Sequence, residues 1–315
     1  MNKKIYKIII FIIFLSLQSS MNGAYSMVKE NYILIKLNNE IITIIDVKNE
    51  VSYLEAINKN FRELSQEKKN DIAKESLIRQ TIKKDELKKF FIFGKELPRV
   101  NELTQNLYLS LNLDSESAAR EYFKNYNISL NRIKEKFEIE VLWNVLIYNR
   151  FKNNLEINEE KLKDKIKNSK KNNNVTSYLL SEIMFKSKNK EDMLQKILDI
   201  KNNITDIGFE NTASKFSLSD SAKYGGKIGW VKKNALSKKI LIQINKLKIG
   251  EISEIINTPG GQLLLKLEDI KNEKILIDEK KELKNLIKYE KNKQLSNFSN
   301  IYFYKIFLGV DIDEK

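Results

Sequence analysis

The spacing of apolar positions divides the chain into two kinds of stretch. Residues 32–45 read as two short strands, Tyr32–Leu37 and Glu40–Ile45, because β-branched residues flank Asn38-Asn39, a pair that tolerates turn geometry. Asp46 stands where a helix N-cap belongs, and Val47, Val51, Leu54 and Ile57 follow at helical spacing. The same period continues through about residues 67–93, 99–112, 115–125 and 129–154, with Pro98, Asp114 and Ser129 at the starts. After its hairpin this region is therefore expected to be all-helical.

Residues 158–174 are polar and end in Lys170-Lys171-Asn172-Asn173-Asn174, a composition that suits a solvated helix running into a linker, with a domain boundary near residue 174. Beyond it the pattern changes. A strand is expected at about 176–186, helices at 190–203 and 208–216, a glycine-containing loop through Gly229, a helix at 237–247, and strands at 252–257 and 262–268. Pro259-Gly260-Gly261 is a tight-turn sequence between the last two strands, so the sheet should be antiparallel. After Asn272 come a charged helical segment, about 278–297, and an aromatic tail that includes Phe298, Tyr302, Phe303 and Phe307. Such a tail needs a covering surface, and the N-terminal helical region is the nearest. The expected fold class is α+β: a mostly helical core domain built from both ends of the chain, interrupted by one small module with an antiparallel sheet.

Composition sharpens this picture. A chain of 315 residues that is 42% hydrophobic is long and apolar enough for two cored domains. At the N-terminus, Lys3, Lys4 and Lys7 precede an apolar run from Ile8 to Leu17, and small residues follow at Ala24 and Ser26. This reads as a secretory signal, cleaved after Ser26 or retained as an anchor; the run is too short for an ordinary membrane helix, and no later segment is apolar enough to span. There are no cysteines and no histidines, which excludes disulfides, thiol chemistry, His-based metal sites and imidazole catalysis. The net charge of +14 is spread along the chain beside acidic residues, without a basic stripe, and does not point to nucleic acid. Gly225-Gly226 lacks the Lys-Ser/Thr of a phosphate loop and is explained by turn geometry. Nothing in the sequence sets a hydrolytic separation between Glu182, Asp220 and Glu251.

Four spaced segments carry a resemblance. They are Phe216-Ser217 with Ser221-Ala222, Gly225-Gly226-Lys227-Ile228-Gly229-Trp230, Leu247-Lys248-Ile249-Gly250-Glu251-Ile252-Ser253, and Thr258-Pro259-Gly260-Gly261. In this order they resemble the parvulin-type (rotamase) peptidyl-prolyl isomerases. The stretch from Leu34 to Val47 resembles the opening of SurA-type periplasmic chaperones, in which an N-terminal helical domain and a C-terminal helix form a core around parvulin modules. The resemblance implies a signal peptide at 1–26, a helical chaperone domain at 27–174, one parvulin-like domain at 175–272, and a C-terminal helix at 273–315 packing on the N-terminal domain. It further implies a periplasmic location and binding of unfolded or extended polypeptides, outer-membrane β-barrel proteins in particular. No cofactor, no metal, no nucleic acid and no stable membrane span after signal cleavage are implied.

The family's site is a shallow groove with two histidines, a Cys or Asp, and apolar residues around the proline ring. By position the histidines fall at Glu182 and Leu263, and the Cys/Asp at Ser219, or at Asp220 if the loop is one residue out of register. The proline pocket falls at Leu236 and Ile240, and Thr258 matches the family's hydroxyl. Read without the resemblance, Glu182 is a strand residue reaching solvent or a lysine, Leu236, Ile240 and Leu263 are ordinary groove or core apolar residues, and Ser219 and Asp220 cap or stiffen a loop. Isomerisation needs a site that favours the twisted amide, not a proton transfer. Loss of both histidines removes a hydrogen-bonded network, so isomerase activity is expected to be weak or lost, with a working histidine-free isomerase as the alternative.

Overall fold

The computed structural model describes residues 32–170, 174–274 and 278–314; the expected signal segment lies outside the described residues. Strands β1 (Ile33–Leu37) and β2 (Glu40–Thr43) pair antiparallel through the Asn38-Asn39 turn, where Asn38 takes φ 52°. Helix α1 (Ile44–Ile57) begins earlier than Asp46 suggests. Its N-cap is Thr43, whose hydroxyl oxygen accepts from the Asp46 amide, while the Asp46 carboxylate accepts from the Thr43 amide at 2.9 Å. Asp46 is the third residue of a capping box, because a carboxylate there satisfies an amide that the cap leaves exposed.

Helices α2 (Lys59–Arg62), α3 (Gln66–Lys88), α4 (Pro98–Ser110), α5 (Glu116–Lys124) and α6 (Leu130–Phe151) complete the N-terminal body. Proline opens α4, where its missing amide costs nothing, and Ser65, Ser115 and Ser129 cap α3, α5 and α6. Helix α7 (Glu159–Lys170) follows. It is not fully solvated: Leu162 and Ile166 are buried in the core of the next module.

That module is a four-stranded antiparallel sheet in the order β4-β3-β6-β5, built from β3 (Asn174–Phe185), β4 (Lys227–Lys232), β5 (Ile256–Thr258) and β6 (Gly261–Lys274). The glycine-containing stretch expected as a loop supplies β4 as an edge strand, since Gly229 lies opposite Leu180 within the ladder. Helix α8 (Lys190–Phe216) covers one sheet face and breaks at Gly208, whose φ of 79° and ψ of 163° only glycine adopts without strain. Helix α9 (Lys238–Ile244) lies on the other side with the apolar core of Tyr178, Leu180, Leu265 and Leu267.

The C-terminal segment is one unbroken helix, α10 (Glu279–Phe307), and not a helix followed by a tail. Its first half inserts Leu286 between α7 and the sheet module; its second half buries Tyr302 and Phe303 in the N-terminal core. There the Trp143 indole donates to the Ser299 hydroxyl at 2.8 Å, and Phe298 stacks on Phe151 at 4.8 Å. A short last strand, β7 (Ile312–Glu314), pairs with β1 and closes a sheet of order β2-β1-β7. Among the described residues no helix is long and apolar enough to cross a membrane.

Candidate functional site

Strand β3 sets the site by its period of two. Leu180, Glu182 and Met184 face one side of the sheet, while Ile183 and Phe185 face α8. On the adjacent β6, Leu263 and Leu265 share the first face and Leu264 takes the second. Glu182 is thus the one ionisable side chain in an otherwise apolar row on the central strand. The row forms the floor of a cavity of about 850 Å³. Leu236 and Ile240, before and within α9, form one wall, and Ile256 and Thr258 of β5 another. The roof comes from outside the sheet module: α7 contributes Lys161, Leu162 and Lys165, and α10 contributes Tyr289, Lys293 and Asn297.

Glu182 is held from the side away from the cavity. The turn that starts at Ser219 donates two hydroxyls to one Glu182 carboxyl oxygen, from Ser219 and from Ser221 at 3.0 Å, and the two serine oxygens are 3.1 Å apart. The turn itself is pinned to β3. The Leu218 amide donates to the Met184 carbonyl at 2.6 Å, the Met184 amide to the Ser217 hydroxyl at 3.0 Å, and the Glu182 amide to the Gly226 carbonyl at 2.7 Å. A Cβ on Gly226 would sit 2.3 Å from the Glu182 carbonyl oxygen, so this close approach requires glycine, as does its φ of 80°.

Burial pushes the Glu182 carboxyl above its ordinary range and the charge of Asp220 pushes it further, outweighing the two serine hydrogen bonds that favour the ionised form. Tyr289 on the roof is driven up to about 12, by burial first and then by the charges of Glu182 and Glu290. The floor therefore offers a carboxyl fixed by two hydroxyls beside aliphatic surface. That chemistry suits an amide with an apolar neighbour.

Of the positions named from sequence, Glu182, Leu236, Ile240, Thr258 and Leu263 line this one cavity. The Thr258 hydroxyl is spent on the turn, donating to the Gly261 carbonyl at 2.8 Å. Ser219 lies on the far side, lining a cleft against the N-terminal body, and reaches the cavity only through its bond to Glu182. Asp220 faces away altogether and pairs with Lys83 at 3.1 Å. Sequence reasoning missed the contact of Ser221 and the whole roof. The signal for Ser221 was its place two residues after Ser219; nothing local marks Tyr289 in a lysine-rich helix. Among the described residues no group of His, Cys, Asp or Glu is arranged to hold a metal ion.

This sheet order and groove, on one module, define a class. Residues 178–269 match the rotamase family, described as the PPIC-type PPIASE domain, and the chain carries one such parvulin domain. A curated relative is the foldase protein PrsA of Staphylococcus aureus (strain Newman), 30% identical over 165 residues, which cover 47% of this chain and 52% of that protein. The chain therefore spans about half the length of the curated relatives it matches. Among solved structures, one describing PEB4 and Cj1289 of Campylobacter jejuni as SurA-like chaperones is 16% identical, covering 90% of this chain and 99% of the other, with a TM-score of 0.38. The peptidylprolyl isomerase PrsA of Bacillus anthracis is 18% identical, covering 74% and 95%, with a TM-score of 0.28.

Proposed function

We propose that this protein is a chaperone of the foldase kind that holds extended polypeptide in the cavity between its parvulin domain and helices α7 and α10. The observation that carries this reading is the cavity itself: its floor is the groove of the parvulin domain, and its roof comes from the rest of the chain. A mostly aliphatic floor holds apolar side chains without demanding a particular one, which suits many weak clients and needs no nucleotide. Export to the periplasm and outer-membrane β-barrel clients extend the same reading. Their support is the lysine-headed apolar run at the N-terminus and the resemblance of the Leu34–Val47 stretch.

The test is aggregation of a chemically unfolded barrel protein on dilution. The protein should suppress it in proportion to its concentration, and Ile240→Glu, a half-buried wall position, should not. Equal aggregation with and without the protein overturns the reading.

The Glu182–Ser219–Ser221 cluster favours a second reading, a histidine-free peptidyl-prolyl isomerase. The cluster supplies a fixed hydrogen-bonding group where the resemblance implies a histidine, and stabilising the twisted amide is all the reaction requires. The uncatalysed reaction takes tens to hundreds of seconds. Acceleration of an X-Pro peptide that is lost in Glu182→Ala supports this activity; a rate equal to background at high protein concentration removes it.

A further inference from the structure

The cavity has a charge asymmetry that apolar holding does not use. Its lining is rich in lysine: Lys161 and Lys165 on the α7 side of the roof, Lys293 on α10, and Lys238 and Lys239 at the start of α9. The roof lysines sit close together. Burial lowers the Lys165 ammonium first, Lys293 and Lys161 both lower it further, and Glu290 opposes them. Glu290 lies 3.6 Å from Lys293 and is shared among these cations. The lining also carries the carboxyl groups of Glu156, Glu182 and Glu290, fewer than its five lysines. The result is an apolar trough edged by lysines from α7, α9 and α10, with long lysine stems able to lie along apolar surface.

We propose that the groove selects extended segments in which a proline or aliphatic anchor is flanked by acidic residues. The anchor fills the floor beside Leu236, Ile240 and Leu263, and the flanking carboxylates meet the lysines at the cavity edge. An extended chain advances about 3.3 Å per residue, so residues two or three positions from the anchor stand roughly 7–10 Å away, a distance a lysine side chain can bridge from a cavity edge. This proposal rests on the polypeptide-binding reading and adds a sequence preference to it.

Three labelled peptides with one apolar, proline-containing centre and acidic, amide or basic flanks, titrated into the full chain, test it. The acidic peptide should bind about tenfold more tightly than the amide peptide, and the basic peptide should bind most weakly. The advantage should shrink in 1 M salt, where the screening length falls to about 3 Å. Replacing the three roof lysines by glutamine (Lys161→Gln, Lys165→Gln, Lys293→Gln) should bring the acidic peptide's affinity down to that of the amide peptide measured on the same variant; these positions are exposed or half-buried, so the fold should tolerate the change. If all three peptides bind alike and Ile240→Glu abolishes them alike, the charge preference is overturned while polypeptide binding stands. If none of the three peptides binds, both the preference and the polypeptide-binding reading fall.

Discussion

Glu140 and Glu182 lie on opposite sides of the turn that runs from Ser219 to Tyr224, and they are held in opposite ways. Glu140, on α6, is half-buried and lies 3.0 Å from Lys83 and 3.2 Å from Lys223; burial alone would raise it, yet the two ammonium groups bring it down to about 2. Lys83 also reaches Asp220 at 3.1 Å, and the Arg79 guanidinium donates to the Ser214 and Ser217 carbonyls at the end of α8. Glu182 has only hydroxyl partners, and burial raises it. The difference separates fastening from reception. A carboxylate with two cations has its charge fully engaged and joins the helical body to the sheet module, whereas one without a cation remains available to a ligand. The turn between them gives Asp220 to the fastening and its serines to the receiving group.

The largest break in this comparison is Glu140→Ala, which leaves Lys83 and Lys223 without their shared partner; it should cost about 3 kcal/mol in denaturant unfolding. Acid should reproduce part of that loss. Because the folded Glu140 lies below the ordinary carboxylate value, its contribution is present above about 4.5 and is lost as pH falls toward about 2, roughly 3 kcal/mol at one decade per pH unit. Wild type should therefore lose more stability than Glu140→Gln across that window. Gly226→Ala should cost about 2–3 kcal/mol, since the added Cβ meets the Glu182 carbonyl and the left-handed backbone is strained; a smaller shift in unfolding midpoint would show that the turn can move away from β3. The double change Ser219→Ala, Ser221→Ala should cost about 2 kcal/mol and raise Glu182 further, which a carbon-13 NMR titration of the carboxyl reads directly. Glu182→Gln sharpens the contrast by its opposite sign. A neutral amide avoids ionising a half-buried group, so stability at neutral pH should rise by about 1 kcal/mol, with the gain shrinking as pH falls and the native carboxyl protonates.

Local signals in the sequence were those that a few neighbouring residues satisfy by themselves. Pro98 at the start of α4 and Ser129 before α6 mark helix starts by capping physics that needs no tertiary partner. Thr43 was passed over for Asp46 because the two share one capping box and either can be read as its first member. The Gly225–Trp230 stretch read as a loop for its glycines, yet Leu179 and Leu180 pair with Trp230 and Gly229 in a ladder that only the distant β3 can reveal. The break in composition near Phe298 suggested the end of a helix. It marks a change of surroundings, as α10 leaves the cavity roof and enters the aromatic core around Trp143. For the groove, alternation along β3 and the carried-over positions named most of the lining, while the fastening of Asp220 to Lys83 spans 137 residues of sequence separation and left no local trace.

By itself the sequence determined the helical body, the antiparallel module with its parvulin pattern, and a groove without a histidine or a thiol, because periodicity, caps, turn residues and composition act over a few positions. Only the tertiary structure decided that α7 and α10 roof the groove, that lysines edge it, and that two lysines lower one glutamate while burial raises another. Those outcomes depend on which charges and hydroxyls distant segments bring within a few ångströms, and electrostatic energy and desolvation are set by that distance and not by position along the chain.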